Sequence, residues 1–73
     1  MFEHNKLSGL IIEKFKTKRN FAKEMKLSER TIYLKLQGKI EFKQSEIEKA
    51  CKLLGIIDED IPVYFFSKNV QNN

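Results

Sequence analysis

Residues 17–37 read TKRNFAKEMKLSERTIYLKLQ, and this stretch decides the fold. Phe21, Ala22 and Met25 are spaced as the inner face of a short helix over 18–25. Thr17 stands just before it, where a hydroxyl can accept from free backbone N–H groups. Lys26 and Leu27 make a tight connection. Ser28 is the next cap, and Ile32 and Leu36 stand one turn apart on the helix that it starts. Gly38 sits where that helix should stop, because glycine tolerates positive φ. The stretch therefore predicts two short helices joined by a tight turn.

Working outward, the hydrophobic spacing stays helical. Asn5 can cap a first helix running to about Lys16, with Leu7, Leu10, Ile11 and Phe15 on one face. Ile40 and Phe42 alternate with charged residues in a short extended linker. A fourth helix is predicted from Gln44 to Leu54, with Ile47, Ala50, Cys51 and Leu54 inward and Gly55 at its end. Asp58 can cap a short fifth helix, with Pro62 four residues past that cap, or two past a cap at Asp60; proline is tolerated in a first turn, where the N–H has no partner. Residues 63–66, Val-Tyr-Phe-Phe, have the composition of a strand. Helix is preferred because no second strand exists to pair with it. The expected core is Leu10, Phe21, Ala22, Ile32, Leu36, Ile47, Cys51 and Leu54.

The chain has 73 residues and a mass of 8.7 kDa, which makes one domain. The expected division is a single domain over 1–66 and a polar C-terminal tail at 67–73. A domain this small buries only about 60% of its unfolded surface, so no deep substrate cleft is expected. Its apolar runs, such as Leu10-Ile11-Ile12, are far short of the roughly twenty residues of a membrane span. No signal peptide is evident. The single cysteine and single histidine exclude an internal disulfide and a zinc site. The expectation is a cytoplasmic domain without cofactor or metal. His4 has no acid or nucleophile near it in sequence and reads as an exposed terminal residue. Cys51 reads as a small buried hydrophobe. No Gly-rich phosphate loop occurs, and an enzyme is not expected.

Charge is uneven. The chain carries a net +4, and nine of its fourteen Lys and Arg lie within 16–43, against three of its ten acids. A basic block between near-neutral or acidic flanks points to a polyanionic partner.

Two short helices around a tight turn, inside a basic helical bundle, suggest a helix-turn-helix at about 18–37. Phe21-Ala22, Met25, Leu27-Ser28 and Ile32 resemble the Cro/repressor-type helix-turn-helix family. Ala22 stands where the two helices cross, Leu27 plugs the turn and Ile32 anchors the second helix. Leu34-Lys35-Leu36, Gly38-Lys39, Phe42, Leu53-Leu54-Gly55-Ile56 and Tyr64-Phe65-Phe66 extend the resemblance to small Cro-like phage repressors of Gram-positive bacteria. It covers about residues 5–71. The chain departs from the family at Lys26, where the turn usually has Gly, at Lys18, often Gln, and at Lys43, where a capping hydroxyl is usual.

The resemblance implies a five-helix lambda-repressor-like domain that represses transcription by occupying a double-stranded DNA operator. Its second motif helix would enter the major groove. On that helix Arg30, Leu34 and Gln37 lie opposite the buried side, with Glu29 and Tyr33 at its edge. Arg30 is the leading base reader, since a guanidinium can pair with guanine O6 and N7. Glu29 could accept from a cytosine amino group, or serve only as a favourable charge at a helix N-terminus. Tyr33 could reach a phosphate or a base edge. Leu34 could touch a thymine methyl or turn towards the core. Phosphate contacts are expected from Lys18, Ser28, Thr31, Lys35, Lys39, Lys43 and Gln44. Phe65 and Phe66 are the candidate contacts of a weak homodimer that DNA could induce. Two further readings stay open. One is a helix-turn-helix module that presents its fifth helix to a protein partner without reading DNA sequence. The other is a non-specific architectural DNA binder.

Overall fold

A computed structural model of the chain describes residues 4–66. Five α-helices follow one another: α1 (Asn5–Phe15), α2 (Lys18–Met25), α3 (Glu29–Leu36), α4 (Gln44–Leu54) and α5 (Ile61–Phe65). A single 3-10 turn, Asp58–Asp60, leads into α5. No strand occurs among the described residues, so the domain is all-α. Within them no helix is long and apolar enough to cross a membrane. The tail expected at 67–73 lies outside the described residues.

The local signals act where the sequence places them. Thr17 Oγ1 accepts from the Asn20 N–H at 3.0 Å, and Ser28 Oγ accepts from the Thr31 N–H at 3.0 Å. Each satisfies a donor that the first turn of a helix leaves without a partner. Gly55 closes α4 in the left-handed region at φ 73°. Gly38 has φ 81°, two residues past the end of α3. Asn5 does not cap α1. It is the first helical residue, and His4 holds the cap position without a side-chain cap bond. The fifth helix begins later than a cap at Asp58 would allow: Asp60, the other expected position, holds the cap without a side-chain bond, and Pro62 lies in the first turn.

Lys26 bends the chain between α2 and α3. It sits at φ 61°, ψ 38°, and the next N–H, that of Leu27, donates to the Ala22 carbonyl at 3.0 Å. A residue with a Cβ is strained in this left-handed region by about 1 kcal/mol. Lys26→Gly is therefore expected to stabilise the domain by about 1 kcal/mol. The check is the urea midpoint, which should rise without a change in slope.

The core is a cluster of Leu7, Ile11, Phe21, Ala22, Met25, Ile32, Leu36, Ile47, Ala50, Cys51, Leu54, Ile56 and Phe65. The first helix, α1, packs on all four others, and α2 packs on α1, α3 and α4. Seven of the eight expected core residues belong to this cluster. Leu10 is the exception: it is half-buried, and Leu7 and Ile11 carry the inner face of α1.

His4 is corrected outright. It is buried, with 5% of its surface exposed, at a junction of α1, α3, α5 and the linker. Its backbone N–H donates to the Leu36 carbonyl at 3.3 Å, and its Nδ1–H donates to the Tyr64 carbonyl at 3.3 Å. The ring meets Phe42 edge-on at 5.3 Å and lies tilted on Phe65 at 6.2 Å. Burial pulls its pKa below the usual histidine value, partly opposed by the bond to Tyr64. A sequence offers no sign of this, because Leu36, Phe42, Tyr64 and Phe65 all lie at least thirty residues away.

Candidate functional site

The outward face of α3 is the part of the molecule that its sequence singles out. Glu29, Arg30, Tyr33 and Gln37 are exposed on it, and Leu34 is half-buried. Tyr33 keeps 50% of its surface in solvent. The ammonium of Lys18, at the head of α2, lies 5.9 Å from the Tyr33 ring centre, within cation–π range. Lys18, Tyr33, Leu36, Gln37 and Lys39 line one shallow groove with Asn5 and Ser8 of α1. The fold thus brings together four of the expected site residues from α2, α3 and the turn after α3.

The remaining expected contacts divide. Lys43 and Gln44 are exposed at the head of α4. The Gln44 amide donates to Glu48 Oε2 at 3.4 Å, and the Lys43 backbone N–H donates to Glu46 Oε1 at 2.8 Å. Ser28 and Thr31 are occupied with each other. Besides accepting from the Thr31 N–H, the Ser28 hydroxyl donates to Thr31 Oγ1 at 2.8 Å.

Lys35 is corrected: only 4% of it is exposed, and it has no surface to offer a phosphate. Its ammonium pairs with Glu46 Oε1 at 2.9 Å and donates to the Glu41 carbonyl at 2.9 Å. It also lies 5.7 Å from the Phe42 ring centre. Lysine is tolerated inside because its charge and its donors are met there. Burial would raise the Glu46 pKa, but the Lys43 N–H and the bond and charge of Lys35 outweigh it. The carboxyl is held below its ordinary value. Sequence reasoning missed Glu46, although a Glu three residues after a helix cap is a signal in its own right.

Phe65 is corrected as well. It is 2% exposed and packs edge-on against Phe42 at 5.2 Å, so it is a core residue and not a dimer contact. Phe66 remains 49% exposed. Cys51 is buried and free, and burial, then the charge of Asp58, pushes its thiol pKa up.

The fold and this face define a small all-α domain built on a helix-turn-helix. The chain belongs to the family described as protein of unknown function DUF739, whose model matches residues 1–68. Among solved structures, it is similar to the solution structure of the modulator of repression (MOR) of the temperate bacteriophage TP901-1 from Lactococcus lactis. The two are 46% identical, with a TM-score of 0.78, over 96% of this chain and 95% of that one. No curated protein matches the chain.

These findings correct the resemblance to the Cro/repressor helix-turn-helix family. The matched family is not one of named repressors, and the similar structure is of a modulator of repression. The physical reason is that the motif residues at the centre of the resemblance, Phe21, Ala22, Met25 and Ile32, are inward-facing. A small residue at a helix crossing, a plug in the turn and an anchor on the second helix are demanded by the packing of any such pair. They say nothing of what the outer face binds.

Proposed function

We propose that this chain is a phage regulatory protein that adjusts repression by contacting another protein. In this reading the helix-turn-helix is a protein-interaction module and not a reader of operator sequence. The observation that carries the reading is the 46% identity, over nearly the whole chain, to a modulator of repression. A modulator of repression acts on what a repressor does, so a repressor is the natural object of contact.

The chemistry of the outer face supports this. Glu29 stands at the leading end of α3, where a DNA-reading helix would meet a polyanion. Lys35 is spent on Glu46, and the two hydroxyls at the head of α3 are bonded to each other. Tyr33 and Arg30, both exposed, are residue types that dominate protein interfaces.

The experiment is a gel shift on the intergenic DNA beside the gene, with the chain alone and with the repressor of the same phage. The chain alone is expected to give no sequence-preferring shift. Added to the repressor, it should change the repressor's complex. A specific shift by the chain alone, relaxed at one base pair by Arg30→Ala, would return the function to operator binding.

A further inference from the structure

The groove between α1, α2 and the end of α3 has a composition that its neighbours do not share. Among the described residues it is lined by Lys18, Lys39, Tyr33, Gln37, Asn5 and Ser8, with Leu36 at its base. Among the described residues no carboxylate lines it. Neither Lys18 nor Lys39 has an ion-pair partner among the described residues, whereas Lys35, one turn away, is neutralised by Glu46. Lys18 is instead held over the Tyr33 ring. The groove therefore offers two cations that no described carboxylate neutralises, amide and hydroxyl donors, and a half-exposed aromatic face.

We propose that this groove seats an acidic segment of the protein partner, with Lys18 and Lys39 receiving its carboxylates and Tyr33 packing on the adjoining apolar part. This rests on the reading of the chain as a protein-interaction module and names the part of the surface that does the work. The charge is complementary to such a segment and to nothing neutral. The ammonium donors of Lys18 and Lys39 and the amide donors of Asn5 and Gln37 fit carboxylates, and Tyr33 beside them supplies contact area at low entropic cost. The position favours a protein over a duplex. The groove lies at the trailing end of α3, while the leading end, which would enter a DNA groove first, carries Glu29.

The test titrates the isotope-labelled full chain with a Glu- and Asp-rich helical peptide and, separately, with a random-sequence DNA duplex, following backbone amide shifts. The peptide is expected to move Ser8, Tyr33, Gln37 and Lys39. Lys18→Glu with Lys39→Glu should weaken it by about tenfold or more. Lys18→Arg should retain binding, and an unchanged melting curve should accompany both variants. Shifts that fall elsewhere, or peptide binding that survives the charge reversal, would overturn the proposal. So would a duplex that occupies the groove more tightly than the peptide at physiological salt. Failure of the wider reading looks different: the phage repressor would then not bind the unaltered chain at all. If it binds both the unaltered and the charge-reversed chain, the function stands and the groove assignment falls.

Discussion

Phe65→Ala is expected to remove most of the domain's stability, while Phe66→Ser, one residue away, costs about 1 kcal/mol. Phe65 is almost wholly buried and joins three distant parts of the chain. Its ring meets Phe42 of the linker edge-on at 5.2 Å and lies against His4 at 6.2 Å, before the first helix. Truncating a buried Phe to Ala costs about 3–5 kcal/mol, through lost transfer energy and the cavity left behind. A small domain has only about 5–15 kcal/mol in all, and one of this size sits at the low end. The variant should therefore melt well below the parent, with much of the population unfolded at 37 °C. Phe66 keeps about half its surface in water, so its replacement changes little burial. Circular dichroism melts of the two variants give the comparison directly. Equal losses at both positions would mean that the ring of Phe65 does not hold α5 to the body.

The second large effect is expected at Lys35. Lys35→Ala removes the ammonium that Glu46 and the Glu41 carbonyl share, and leaves the Glu46 carboxylate facing the core. Removing one partner of a buried ion pair costs about 3–5 kcal/mol. Here the Glu46 side chain is 14% exposed and keeps the Lys43 N–H, which brings the expectation down to about 2–3 kcal/mol. The double variant Lys35→Met with Glu46→Leu should recover most of that loss, because no charge is then left buried without its partner.

The pH dependence has a definite sign. Glu46 has a folded pKa below its ordinary value, so the unfolded chain binds its proton more readily. The carboxylate's contribution is present above the ordinary value of 4.5 and is lost as pH falls through the lower, folded pKa. Glu46→Gln should flatten stability against pH in that acidic window. An unaltered acid limb would mean that the pair contributes nothing. In addition, Lys35→Met is expected to leave any DNA or peptide binding unchanged once folding is allowed for, since the ammonium does not reach the surface.

How far the sequence went can be seen residue by residue. It placed α2 and α4 at their observed ends, and it identified Thr17, Ser28 and Gly55 as the stops and starts they are. It also placed the tight connection at Lys26, which the structure holds in the left-handed region. All of these are short-range events. A cap bond reaches three residues, a helical bond four, and an inward face repeats every turn, so the cause of each lies beside its effect.

The errors share the opposite property. On a helix wheel Lys35 falls about 60° from Ile32, at the margin of the buried side. Whether it faces water or a partner depends on Glu46, on another helix. Four apolar residues in a row at 63–66 cannot all turn inward, but only the packing of α5 on α1 and the linker selects Phe65 over Phe66. His4 binds a carbonyl sixty residues along the chain. The helix-turn-helix pattern itself was legible because its residues pack against each other. The role of its outer face was not, because packing puts no constraint on the side that meets a partner. Sequence alone determined the helices, the caps at Thr17, Ser28 and Gly55, and most of the core. The tertiary structure decided which charges are spent inside, which aromatic rings are buried, and which lysines remain to meet something else.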